Sequence, residues 1–349
     1  MPSEVTFTVF RLALLVSMCC SLAFSCQQTS PSPVPEAPDG MIWVAPKTFI
    51  QGAKKDDQLA MPGELSGVAV QSDGFFIDAT EVTNAMFKKF VEATGYTTVA
   101  ERPIDWEELK KELPQGTPKP NDSLLQPGSL VFRKEVESVS NLQDYSQWWE
   151  WRVGANWRHP EGPQSSIEDQ DDFPVVHIAY EDALAYCAWA NRRLPTEKEW
   201  EAAAQGTYDD AIYTWGHQPD LVNENANTWQ GQFPIKNEPL DGFKYLAPVK
   251  SYVPNTVGIH DMLGNAWEIT SSNYSGKHEI ESANEIGFNS KETQSFETQK
   301  VIKGGSYLCN ASYCASYRIS ARMPFEVNSS SDHIGFRTVA TTAMLNQKK

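Results

Sequence analysis

Apolar residues first gather at Met41-Ile42-Trp43-Val44 and again at Phe75-Phe76-Ile77, short runs bounded by Gly and polar positions. They predict two strands and a folded domain that starts near residue 40. Past Thr83 the period changes: Phe87, Phe90 and Val91 recur at helical spacing, with Thr83 placed to cap the first turn and Gly95 to end the last, so a helix of about three turns is expected. A second helix is predicted from Glu181 to Asn191, with Ala183, Leu184, Cys187 and Ala188 on one face and Cys187 a buried free thiol. A third begins at Thr196, where Thr196-Glu197-Lys198-Glu199 forms a capping box, and ends before Gly206. Residues 97–170 show little sustained periodicity and are rich in Pro, Gly, Trp and charge, which predicts a long irregular segment wrapped on the surface. Trp148, Trp149, Trp151 and Trp157 argue against disorder there, because indoles are costly to leave in water; they pack the segment onto the core or line a groove for an extended peptide. Beyond Gly206 come short apolar pieces separated by Asn, Gly and Pro, without a repeat or a nucleotide-binding glycine pattern. The whole reads as a mixed α+β domain with low regular secondary structure.

Ahead of this domain, Arg11 precedes an apolar run, Leu12 to Phe24, that is too short to span a bilayer, so residues 1–25 read as a signal peptide. Leu22-Ala23-Phe24-Ser25-Cys26 resembles a bacterial lipoprotein cleavage site, with a lipid anchor at Cys26 as the expected membrane attachment; ordinary signal cleavage is the alternative. Residues 26–40 form a Pro-rich tether of roughly 3 Å per residue, residues 41–340 the domain and residues 341–349 a tail. The expected protein is an exported, periplasmic or cell-surface monomer. Its 11 Trp, 12 Tyr and 16 Phe suffice for a sizeable core, and the formal charge of −16 excludes a nucleic-acid partner, which needs a basic surface.

Of six cysteines, Cys19, Cys20 and Cys26 lie in or at the end of the export signal, leaving Cys187, Cys309 and Cys314 for the domain. Cys309 and Cys314 stand five positions apart behind Gly304-Gly305, among aromatics and hydroxyls. In an exported protein such a pair closes a small disulfide loop or supplies two soft thiolates for copper(I). The histidines offer no rival: no two of the six lie closer than eighteen positions and there is no HExxH. Asn227, Asp241 and their turn carbonyls are oxygen donors of the kind calcium takes, although by spacing alone they are turn formers.

The segment Gly304-Gly305-Ser306-Tyr307-x-Cys309-x-x-Ser312-Tyr313-Cys314, followed by Tyr317-Arg318, Ala321-Arg322 and Ile334-Gly335-Phe336-Arg337, closely resembles the C-terminal signature of the formylglycine-generating enzymes, the sulfatase-modifying factors. The likeness extends over Trp149 to Pro163, Pro174 to Gly206, Asn227 to Phe243 and Gly258 to Ser271; Gly154-Ala155-Asn156-Trp157-Arg158-His159-Pro160-Glu161-Gly162-Pro163 is its most specific block outside the cysteine loop. His159, inside that block, is the histidine to watch. The resemblance implies a single domain related to C-type lectins, and a copper-dependent oxidase that converts a cysteine in a Cys-x-Pro-x-Arg motif of an unfolded or nascent sulfatase to Cα-formylglycine with dioxygen. Cys309 and Cys314 would hold copper(I), and Ser306, Trp267 and Ser330 would stand near the active site. One structural calcium would take the side chains of Asn227 and Asp241 and the carbonyls of Thr228 and Phe243. A second would take Asp261, the carbonyls of Gly264 and Ala266, and Glu268, with Asp261 standing where the family more often has Asn. These calcium loops are expected to tie together segments distant from the cysteines. Departures from the family are the missing partner for Cys187 near Ala204, Asn310 after the first cysteine, and Ile319 and Thr338 in place of a further disulfide; none removes the cysteine pair. The competing reading is a non-catalytic scaffold or surface lipoprotein on the same fold. Such proteins usually lack the paired cysteines.

Overall fold

In the computed structural model, which describes residues 36–64, 67–275 and 299–346, the first apolar run is strand β1 (Met41–Val44). β2 (Lys47–Gln51), β3 (Val68–Ser72) and β4 (Phe75–Asp78) follow. The signal peptide, Cys26, most of the tether and the last residues of the tail lie outside the described residues. β1 and β4 pair antiparallel in the register Met41↔Asp78 to Val44↔Phe75, while β2 and β3 form a separate hairpin.

Helix α1 (Asn84–Thr94) has the predicted ends: the Thr83 hydroxyl accepts the Met86 N–H, and Gly95 takes a left-handed φ of 70° that bends the chain away. Its buried side chains, Phe87, Phe90 and Val91, are those the periodicity picked out.

Helix α2 (Trp106–Glu112), β5 (Gly128–Phe132) and β6 (Trp149–Val153) occupy the stretch expected to be irregular. β5 and β6 pair from Gly128↔Val153 to Phe132↔Trp149. This hairpin escaped the pattern because both faces of β5 are covered: Gly128, Ser129, Val131 and Phe132 are all buried, so no alternation marks it. Trp148 and Trp157 are fully buried, whereas Trp149 and Trp151 are half-buried.

Helix α3 (Tyr180–Ala190) ends at Asn191 in the left-handed region, but its buried stripe is Asp182, Ala183, Tyr186 and Cys187. Leu184 and Ala188, expected on that face, are exposed. Tyr186 takes the core side, its ring 5.6 Å from Phe90 and 5.3 Å from Phe336, and Asp182 turns inward to accept the Ala179 N–H. Cys187 is a free thiol, and burial pushes its pKa up to about 12.

Helix α4 (Glu197–Gln205) opens with the predicted reciprocal cap between Thr196 and Glu199. After a helical turn at Val222–Asn225 and a short hairpin of β7 (Gly231–Gln232) and β8 (Lys236–Asn237) come β9 (Trp267–Asn273), β10 (Gln299–Lys303), β11 (Arg322–Glu326) and β12 (Ile334–Gly335). The last four form one sheet in the order β11-β10-β9-β12, with β12 parallel to β9. β13 (Val339–Ala340) returns to pair with β4, so the end of the domain closes on its beginning. One hydrophobic core gathers α1, α3, α4 and the long sheet, and Cys309 belongs to it. An aromatic cluster of Phe132, Trp148, Trp229, Phe233, Tyr307 and Leu308 lies beside it. None of the described helices is long and apolar enough to cross a membrane.

Candidate active site

β10 delivers the chain into Gly304-Gly305, and both glycines have left-handed φ, 91° and 76°. A Cβ on Gly305 would stand 2.9 Å from the Ser316 carbonyl carbon and the Tyr317 nitrogen, and one on Gly304 would stand 2.6 Å from the Met262 oxygen. Only glycine lets the backbone pass this close. The turn that follows brings Cys309 back, its N–H donating to Ser306 O at 2.9 Å, and a second turn sets the Cys314 N–H on Asn310 O at 2.8 Å. The two sulfurs end 2.8 Å apart, Cys309 buried and Cys314 half-buried. Both thiols are free. At that separation the sulfurs are close enough to share a proton, to be joined as a disulfide or to share one soft ion.

The two sulfurs are electrostatically unequal. Burial and the hydrogen bond to Cys314 hold the Cys309 thiol well above its ordinary pKa, although the Ser306 N–H, 3.4 Å from its sulfur, favours the thiolate. Cys314 is lowered to about 7, first by the hydrogen bond from Cys309 and then by Ser316, whose Oγ lies 3.3 Å away. Of the two, Cys314 is therefore the sulfur that ionises first, with Cys309 keeping its proton. Soft, partly ionised sulfur is the donor chemistry that copper(I) takes. Among the described residues no group of three or more His, Cys, Asp or Glu side chains is arranged to hold a metal.

Of the other expected site residues, Ser306 is fully buried against the pair, its hydroxyl accepting the Leu308 N–H at 3.3 Å. Trp267, buried at the start of β9, lies in the same core cluster as Cys309 and donates its backbone N–H to His333 O. Ser330 is engaged elsewhere: its Oγ lies 2.7 Å from Ser129 Oγ, fastening the β5–β6 hairpin to the chain ahead of β12. His159 closes its own turn, with Nδ1 2.5 Å from Ser165 O. Residues the pattern did not mark include Ser316, and Asp332, which is hydrogen-bonded by Tyr307 and pushed by burial up to about 7. Sequence offered no signal for either, because a lone Ser and a loop Asp are ordinary turn residues.

The oxygen-rich loops lie against the cysteine loop and not at a distance from it. The Trp229 N–H donates to Cys309 O at 2.9 Å, the Asn310 amide donates to Trp229 O at 2.9 Å, and the Tyr307 N–H donates to Asn265 O at 2.9 Å. The two loops also lock to each other. Gly264 passes so close to Asn227 that a Cβ would meet its carbonyl oxygen at 2.3 Å, and Asn227 Nδ2 donates to Asn265 Oδ1 at 3.1 Å. In the first expected calcium set, Asn227 Oδ1 is buried without a hydrogen-bond partner, while the Asp241 carboxylate accepts from Thr228 N, Gln230 Nε2 and Phe243 N. In the second, Asp261 Oδ1 is likewise orphaned, and Glu268 accepts from Trp200 Nε1 and, through both oxygens, from Arg337. Gly264 and Ala266 lie on the same turn, which Asp261 and Asn265 shape with positive φ. Each set thus offers one unpartnered buried side-chain oxygen, the kind of group a hard cation satisfies, while the carboxylates of Asp241 and Glu268 are engaged by protein donors.

Residues 27–342 match a family model described as the sulfatase-modifying factor enzyme 1-like domain. The chain is 42% identical over 287 residues to a formylglycine-generating enzyme of Mycobacterium tuberculosis, covering 80% of this chain and 91% of that one. It is 39% identical over 309 residues to the formylglycine-generating enzyme of Mus musculus, covering 88% and 77%. A Mus musculus relative named inactive C-alpha-formylglycine-generating enzyme 2 is 33% identical over 300 residues, covering 84% and 83%. Among solved structures, PvdO from Pseudomonas aeruginosa has a TM-score of 0.56 at 18% identity, covering 86% of this chain and 93% of that one, a likeness of fold.

Proposed function

The chain belongs to the family of sulfatase-modifying factor enzyme 1-like domains, and on that premise we propose that it is an oxidase of protein cysteine, converting the cysteine of a sulfatase Cys-x-Pro-x-Arg motif to Cα-formylglycine with dioxygen. The observation that carries this reading is the Cys309–Cys314 pair, its sulfurs 2.8 Å apart, with Cys309 buried and Cys314 partly buried. Relatives named as an enzyme and as an inactive enzyme are both similar to this chain, so family membership alone does not separate an oxidase from a scaffold, and the reading rests on the cysteine pair.

Cys309 and Cys314 would hold copper(I), which supplies dioxygen activation when bound. The chain's own residues do the rest. The Gly304-Gly305 turn and the Ser306 N–H hold Cys309 in the core, and the surrounding apolar shell excludes water from it. Cys314, the more acidic and less buried of the two, is the sulfur nearer to solvent and so the better placed to meet a substrate thiol. Trp149 and Trp151, half-buried on β6, are suited to flank an extended polypeptide, the form an unfolded sulfatase would present. Calcium at the two orphaned oxygens, Asn227 Oδ1 and Asp261 Oδ1, would brace the loops that bond to Cys309. The signal-like N-terminus and Cys26 support an exported protein held to a membrane by lipid. The second reading is a non-catalytic scaffold on the same fold.

A peptide carrying Cys-x-Pro-x-Arg, incubated with the copper-loaded protein, reductant and oxygen, is expected to lose its thiol and gain an aldehyde by mass. Copper bound without oxygen-dependent conversion of several sulfatase-derived peptides would refute the oxidase reading and leave the scaffold.

A further inference from the structure

The two cysteines are anchored differently. Cys309 is fixed on both sides: its N–H bonds Ser306 O, its carbonyl accepts the Trp229 N–H, and the glycine turn before it is wedged against Ser316 and Met262. Cys314 has one backbone bond inside its own turn, to Asn310 O. Its sulfur meets Ser316 Oγ at 3.3 Å, within the same short segment, and that segment is tied in turn by Arg318, whose Nε donates to Ala315 O at 2.7 Å.

Arg318 is fully buried, and a buried guanidinium is tolerated only when its charge and donors are met. They are met from the far end of the sequence. Glu64 takes it bidentately, at 2.6 and 2.7 Å, and Asp57 takes it at 2.7 Å; both carboxylates stand on the segment between β2 and β3. Ser320 Oγ also donates to Glu64, at 3.1 Å. A bidentate Arg–carboxylate pair fixes direction as well as distance, because the planar fork has one matching orientation.

We propose that Glu64 and Asp57 are positioning residues for Cys314: by gripping Arg318 they fix the Ala315 carbonyl, and with it the direction in which Cys314 presents its sulfur to Cys309. Without them the segment after Cys314 loosens, and Cys314 loses its orientation more than Cys309, which keeps its backbone bonds to Ser306 and Trp229. The consequence for copper affinity rests on the proposed function. The consequence for the two thiols does not.

The test begins with metal-free protein equilibrated in glutathione redox buffers, where the fraction of Cys309–Cys314 disulfide, read by mass spectrometry, reports how well the two sulfurs are held face to face. Copper(I) affinity is then measured by competition. Glu64→Gln is expected to lower the effective concentration of the pair and the copper affinity by roughly 10–100-fold, the usual effect of losing an orienting partner, and Asp57→Asn, which leaves the bidentate pair in place, to lower both by a smaller factor. Asp182→Asn, which removes a buried acid on α3, lowers Tm but moves neither readout. If Glu64→Gln fails to fold, Asp57→Asn carries the test, since Arg318 then keeps its bidentate partner. Wild-type values for both readouts in these variants, with only Tm reduced, would overturn the proposal. Failure of the wild type to bind copper would count against the proposed function and leave the thiol measurement to decide this inference.

Discussion

His177 shows how one residue ties fold to pH. It sits at φ 62° in the left-handed region, fully buried, with Nε2 2.9 Å from Pro160 O and Nδ1 without a partner. Burial lowers its pKa from 6.5 to about 4. Between those values the unfolded chain binds a proton that the folded chain refuses, so this contribution to stability is present above pH 6.5 and is lost as pH falls toward 4. His177→Asn suits the left-handed backbone and removes the titration. The wild type's stability relative to that variant is expected to decline with acidification by about 1.4 kcal/mol per pH unit across the window. Urea denaturation at several pH values checks it; a difference flat with pH would contradict the assignment. Gly305→Ala tests the cysteine turn. At φ 76°, with the Ser316 backbone 2.9 Å from the new Cβ, the substitution is expected to cost about 1–3 kcal/mol, and an unchanged urea midpoint would refute the wedge. At this scale the cysteine pair and Gly304-Gly305 were legible in sequence because their chemistry is rare. Ser316 and Asp332 were not, since only folding gives them their neighbours.

Helix ends were readable because their determinants are local: Thr83, Gly95 and the Thr196–Glu199 box each act within one turn. The β5–β6 hairpin was not, because β5 is buried on both faces and its partner stands beyond a long loop. The face of α3 was misassigned at Leu184 and Ala188 because rings on α1 and near β12 decide which side turns inward. The loops at residues 227–243 and 261–268 carry a further consequence. Since Trp229 and Asn265 bond directly to the cysteine segment, removing calcium is expected to lower Tm and also to speed alkylation of Cys309 by a neutral maleimide. An unchanged melting curve after chelation, with no calcium found by elemental analysis, would dismiss both sites.

Across the molecule the site is assembled from segments far apart in sequence: Arg318 pairs with Glu64 254 positions away, and Phe132 N–H bonds Asp332 200 positions away. No local pattern encodes such contacts, which is why the identity of the site could be read from the cysteine loop while its support could not. The aromatic cluster that covers the cysteine loop is part of that support: Trp148 packs edge-on to Phe233 and Tyr313, and Tyr313 stacks on Phe233 at 4.6 Å. Trp148→Ala, in a fully buried position, is expected to cost about 3–5 kcal/mol. A loss below about 1 kcal/mol in urea denaturation would mean that the cluster is not load-sharing with the core. Whether the chemistry of this chain resides in its two facing thiols is decided by copper(I) titration of the reduced protein against a competing chelator. The wild type is expected to take up about one equivalent tightly, and the Cys309→Ser, Cys314→Ser double variant none, while both keep the same melting behaviour with calcium. Tight stoichiometric copper retained by the double variant would contradict it.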